Sequence, residues 1–127
     1  MSRFRRFSQF IFLAVLIAMT VIAFLPQVDR IDQRLWFQWD KANHFGAYFA
    51  VVLIARLSFP NWPYYGVFAV LMAQGIMVEW IQPYFGRTAS FGDLLANGLG
   101  IITGLCANLV WRYRHKVRAN SKASDRP

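Results

Sequence analysis

Cysteine occurs once in these 127 residues and acidic side chains only six times. The lone Cys106 lies inside an apolar run. That excludes an intrachain disulfide, argues against a thiol-ligated metal and leaves it as a small packing residue of a helix. Charged residues make up 16% of the chain, against roughly 25% for an average soluble protein. There is no HExxH or comparable ligand spacing, no glycine-rich phosphate loop, no nucleophile elbow and no Cys–His pair, so no metal and no cofactor are expected. No internal repeat or long low-complexity segment suggests a second unit, and the length suits one domain.

What is present is apolar. Hydrophobic residues form 57% of the chain and aromatics 17%. They fall into long runs separated by short polar loops, a pattern that suits a bilayer. The reading is an all-α integral membrane bundle of four transmembrane helices, at about 7–25, 40–59, 64–82 and 93–111. Pro26, Pro60 and Pro83 mark the ends of the first three. Each run is close to the roughly 20 residues that cross about 30 Å of hydrocarbon. Arginines before the first run give it the look of a signal peptide. The Pro-Gln-Val-Asp that follows is no small-x-small cleavage site, so a retained helix is expected.

The net charge of +8 would ordinarily suggest nucleic acid. The cations, however, collect at the two ends of the chain, and no nucleic-acid-binding module accompanies them, so no such partner is expected. Placing the N-terminus inside puts ten cations on that side: Arg3, Arg5, Arg6, Arg56, Arg112, Arg114, Lys116, Arg118, Lys122 and Arg126. Four remain outside: Arg30, Arg34, Lys41 and Arg87. The bias predicts both termini in the cytoplasm, with Arg56 snorkelling to the headgroups. Two aromatic belts fit the same spans, Trp36, Trp39, Trp80 and Tyr84 at one interface and Trp62, Tyr64, Tyr65, Trp111 and Tyr113 at the other. The membrane domain is expected to occupy 1–117, and the basic polar tail 118–127 to be disordered.

The polar residues within this layout converge on the outer face. Asp40, Lys41, His44 and Tyr48 open the second span, with Asp40, His44 and Tyr48 in one stripe at i,i+4 spacing. Glu79 and Gln82 close the third span at the same level. Arg87 and Ser90 lie in the outer loop, and Asp93 and Asn97 open the fourth span. Ionisable groups at the edge of a span usually pair or line a functional cavity. One reading is an ion-paired lock, with Asp93 as the helix cap. Another is a binding site in which Arg87, Lys41 and the N-terminus of the fourth span hold an anionic group such as a lipid phosphate. A third gives Glu79, Asp93 or His44 an acid–base role. A metal held by His44, Glu79 and Asp93 lacks supporting spacing. In the fourth span Ala96, Gly100 and Gly104 form a small-xxx-small stripe, suited to packing within the bundle or to a homodimer seam. Gln74 lies mid-membrane and is expected to hydrogen-bond a neighbouring helix.

These residues resemble the VanZ-like family of small bacterial membrane proteins. The resemblance is carried by Asp40-Lys41-x-x-His44-Phe45-x-x-Tyr48, by Glu79-x-x-Gln82, and by Arg87-x-x-Ser90-x-x-Asp93-x-x-x-Asn97-x-x-Gly100. It covers about residues 36 to 110; the loop Pro83-Tyr84-Phe85-Gly86 stands where family members often have Pro-Gly before the arginine. The family is named for a protein associated with resistance to the glycopeptide teicoplanin. The resemblance implies a bacterial cytoplasmic membrane and envelope biology. From the polar cluster itself, the expected function is binding of an envelope lipid or lipid-linked precursor at the outer face. A lipid-headgroup enzyme and a structural subunit of a membrane complex are the alternatives.

Overall fold

The computed structural model describes residues 3–25 and 33–124, side chains excepted at 33–39, 123 and 124. Among the described residues the chain is all-helical. Helix α1 spans Arg3–Phe24, α2 Gln33–Ser58, α3 Tyr64–Ile81 and α4 Phe91–Ser124, and a 3₁₀ turn at Gln82–Phe85 prolongs α3. Three helical stretches, Arg3–Phe24, Tyr64–Phe85 and Phe91–Lys122, are long and apolar enough to cross a membrane. Helix α2 has the length, 26 residues, but its first half carries Asp40, Lys41 and His44.

The boundaries follow local chemistry. Pro63 stands at the N-cap of α3 with φ −65°, which is already set for the first turn. Helix α3 ends at Ile81, within one residue of the boundary expected from Pro83, and the proline itself lies in the 3₁₀ turn that follows. It is accepted near the start of the 3₁₀ turn, where its missing N–H costs nothing. Gly86 then stops the turn in the left-handed region at φ 73°, and its amide hydrogen-bonds back to Gln82 and Pro83. Helix α4 runs to Ser124, past residue 118, where disorder is expected from composition. The Arg, Lys and Ala residues there are good helix formers and extend a helix already nucleated by packing. At about 1.5 Å per residue its 34 residues span about 51 Å, well beyond a hydrocarbon core.

The helices pack in the cyclic order α1, α2, α4, α3. The α2–α4 pair is the most extensive, and α3 touches α1 and α2 only lightly. The core joins Phe12, Tyr48, Val51, Val52, Val67, Leu71 and Ile101, while the outer surface is studded with Phe10, Ile17, Ile76, Leu99 and similar side chains. Trp80 and Tyr84 are exposed at one end and Trp62, Tyr65, Trp111 and Tyr113 toward the other, whereas Tyr64 of the expected second belt is half-buried beneath Arg56 and donates to Asn108. Trp36, Trp39, Arg30 and Arg34 fall outside the described side chains. Cys106 is exposed on α4 rather than packed within the bundle, because it faces away from the stripe that meets α2.

That stripe is the close contact of the fold. A Cβ on Gly100 would collide with the backbone oxygen of Phe45, and one on Gly104 would lie 3.0 Å from Val52 and 3.1 Å from the Phe49 oxygen. The stripe therefore faces α2, and a homodimer seam would have to compete with that contact. Arg56, expected to snorkel, is instead buried (4% exposed). It donates to the carbonyls of Trp62 and Pro60 and to Asn108 Oδ1, and stacks over the Tyr64 ring at 4.2 Å. The turn after α2 leaves carbonyls without partners, and a five-donor guanidinium satisfies them without leaving the protein.

Gly100→Ala should lower stability by about 1–3 kcal/mol, the range for overpacking a tight contact. Gly46→Ala, where nothing lies within 4 Å of the new Cβ, should leave it unchanged or raise it by up to about 1 kcal/mol. Thermal unfolding of both variants in the same detergent measures the contrast; equal behaviour would mean that α2 and α4 do not approach this closely.

Candidate functional site

The polar residues singled out by sequence do come together, at the end of the bundle where α1 finishes and α4 begins. Their organisation differs from any one of the expected readings. Ser90, rather than Asp93, is the N-cap of α4: its Oγ accepts the Asp93 amide at 3.4 Å. In a capping box the third helical residue would reach back to the cap's own N–H. Here Glu79 of α3 takes that N–H, accepting the Ser90 amide at 2.9 Å. The Asp93 carboxylate is thereby released, and it faces Lys41, whose Nζ lies 3.4 Å away.

On α2, Asp40 is the hub. Its Oδ1 lies 3.9 Å from His44 Nε2 and 4.0 Å from an Arg87 amino nitrogen. His44 Nδ1 is 2.9 Å from Asn97 Oδ1. That oxygen can only accept, so Nδ1 carries the hydrogen and Nε2 of the neutral ring keeps a lone pair. Arg87 also donates to the Ala23 carbonyl at 3.3 Å, and Gln82 Nε2 does the same at 3.3 Å. Ala23 lies in the last turn of α1, where carbonyls have no intrahelical partner and cationic donors are favoured. The turn that carries Gln82 and Arg87 is thus fastened to α1, with Phe24 stacked on Phe85 at 5.0 Å.

Beneath this rim is a cavity of about 310 Å³ between α1, α2 and α3, in the gap left where α3 barely meets α2. Asp40, Asn43, His44 and Arg87 are among its polar lining residues, and Met19, Ile22, Ala47 and Val78 among its apolar ones. Tyr48, Gln74 and Gln82 also reach it. Gln74 links three helices, accepting the Tyr48 hydroxyl through Oε1 and donating to Thr20 Oγ1 at 3.0 Å. The expected interhelical bond of Gln74 is therefore made twice. Gly75 makes room for this: a Cβ there would stand 3.0 Å from the Tyr48 hydroxyl and 3.1 Å from the Asn97 amide nitrogen.

Of the residues expected to hold an anion together, Arg87 lines the cavity and Lys41 does not. Lys41 lies against Asp93 and beside Gly92, where a Cβ would come within 2.7 Å of its Cε. At the α4 N-terminus Glu79 and the Ser90 hydroxyl accept two of the amides, those of Ser90 and Asp93. Sequence reasoning missed Asn43 and the α1 wall. Asn43 had a signal, since it sits one residue before His44 in the polar opening of α2. Met19, Ile22 and Ala23 had none, being ordinary residues of an apolar run. Asp40, His44 and Asp93 bring three donor atoms within 4.8 Å of one another. They come from two helices, 49 residues apart at the closest, which no local motif would record.

Compared with protein-family models, with curated proteins and with solved structures, the chain finds no match.

Ser90→Ala should cost about 1 kcal/mol as a lost cap. Glu79→Leu leaves the Ser90 N–H without its acceptor and should cost about 1–3 kcal/mol. Glu79→Gln retains an acceptor for it and should be close to neutral. Denaturation of the three variants reads the order; a Glu79→Leu protein as stable as wild type would remove Glu79 from the capping arrangement.

Proposed function

We propose that this chain is a VanZ-like integral membrane protein of the bacterial cytoplasmic membrane, crossing it four times with both termini inside, and that it binds the headgroup of a lipid or lipid-linked envelope precursor at its outer end. The excess of Lys and Arg at the termini supports the orientation. The observation that carries the ligand class is the mixed lining of the cavity, with Arg87 and Asn43 among its polar residues and Met19, Ile22 and Val78 among its apolar ones. A water-soluble ion needs no apolar wall and an acyl chain needs no guanidinium. An amphiphile at the membrane surface needs both. Arg87 contributes a fork that matches phosphate oxygens, held in place by its bond to Ala23. The fourth crossing, by α2, is supported by its length and by the placement of its charged residues at the site rather than along its whole surface.

An acid–base enzyme acting on the same headgroup is the second reading. Its support is His44, which lines the cavity and is held by Asn97 with a lone pair left on Nε2. Mass analysis of lipid extract incubated with the protein separates the two, because only an enzyme gives a headgroup product that accumulates with time.

Native mass spectrometry of the protein in detergent, extracted from its own membrane, tests the binding reading. Wild type should retain a phosphate-bearing lipid. Arg87→Ala should weaken retention about tenfold to a hundredfold, the equivalent of one or two charge-assisted hydrogen bonds. Arg87→Lys should fall between, keeping the charge and losing the fork. Equal retention by all three would place the lipid elsewhere.

A further inference from the structure

The rim of the cavity holds a donor set that neither the headgroup reading nor the ion-pair lock requires. Asp40 and His44 stand one helical turn apart on α2, Asp93 comes from the first turn of α4, and their ligand atoms lie within 4.8 Å of one another. His44 is prepared as a ligand. Its Nδ1–H is held by Asn97 at 2.9 Å, and Nε2, with the lone pair, lies 3.9 Å from Asp40 Oδ1. Metal-binding histidines are oriented in this way, by a second partner on the ring nitrogen that does not touch the ion.

Glu79 supplies an independent indication. It is 7% exposed, its Oε1 has no hydrogen-bond partner among the described residues, and it lies in the electrostatic field of Asp93, His44 and Asp40. A buried carboxylate oxygen without a partner is costly, and a neighbouring cation relieves that cost.

We propose that Asp40, His44 and Asp93 hold a divalent cation which, with Arg87, receives the phosphate of an anionic lipid headgroup; the second half of this inference rests on the headgroup reading above. One imidazole and two carboxylates suit zinc or manganese better than the all-oxygen sites of calcium and magnesium. Tetrahedral zinc with bonds of about 2.0 Å needs donors roughly 3.3 Å apart, so the three side chains close in by up to about 1.5 Å when the ion enters.

The test uses tag-free, full-length protein in detergent, stripped with EDTA and dialysed against zinc or manganese alone. Wild type should bind about one ion per chain with a rise in melting temperature on addition of the ion, a readout that needs no variant. Asn97→Leu should weaken binding roughly tenfold, and Asp40→Asn and His44→Gln by more. No ion bound by wild type, or undiminished binding in both triad variants, would overturn the site. Retention of phosphatidylglycerol is then measured with the ion and with EDTA. Loss of lipid in EDTA supports the bridge, and equal retention overturns it while leaving the headgroup reading intact. Ion binding with no lipid retained in either condition overturns the headgroup reading and the bridge, and leaves the cation site standing alone.

Discussion

The hydrogen bond from the Ser90 amide to Glu79, 2.9 Å long, joins α3 to the start of α4 and sets the chemistry of the polar end. A helix N-terminus has four amides without intrahelical partners, and something must accept them. If Asp93 did so from its own first turn, its carboxylate would fold back on the backbone and the site would lose its third acid. Because Glu79 reaches across from another helix, Asp93 faces α2 instead. Lys41 and the Asp40–His44 pair then meet it there. The capping of one helix thus determines which carboxylates are available between helices.

A second constraint shapes the empty space. Gly100 and Gly104 let α4 approach α2 until backbone meets backbone, and α3 follows α4. In the order α1, α2, α4, α3 the helices α2 and α3 stand diagonally across the bundle, and the cavity lies between them near the end where α1 stops. The hydrogen bonds from Tyr48 through Gln74 to Thr20 cross this gap and hold its walls together. Helix α2 thus has backbone contact on one side and a cavity on another.

Much of this was legible in the sequence because membrane proteins write their rules coarsely. Long apolar runs gave the helices, prolines placed three of the ends to within a few residues, and i,i+4 spacing put Asp40, His44 and Tyr48 on one face. The convergence of Asp40, Glu79, Arg87, Asp93 and Asn97 followed from reading every polar residue at one depth. What was not legible was pairing. Lys41 was grouped with Arg87 as an anion holder, whereas its partner is Asp93; one-dimensional spacing does not say which of several opposite charges is nearest. Arg56 was sent to the headgroups because a long side chain near a helix end usually goes there, but the carbonyls of Pro60 and Trp62 lay within reach. The α1 wall of the cavity was invisible, since only the fold makes Met19 and Ile22 differ from their apolar neighbours.

The two ends of the bundle handle buried charge in opposite ways, and the contrast separates scaffold from site. At the Arg56 end the guanidinium meets two carbonyls, an amide oxygen and the face of Tyr64, which also donates to Asn108. All of these partners are neutral, and its N–H groups point at acceptors fixed in the turn. Such an arrangement can hold helices together but offers nothing to a ligand. At the Asp40 end, among the described residues, three acids face two cations and an imidazole, the ion pairs are long at 3.4 to 4.0 Å, one carboxylate oxygen is unpartnered, and a cavity opens alongside. Half-paired buried charge weakens a fold, and the proposed cation is a group that would relieve that cost by entering between these side chains.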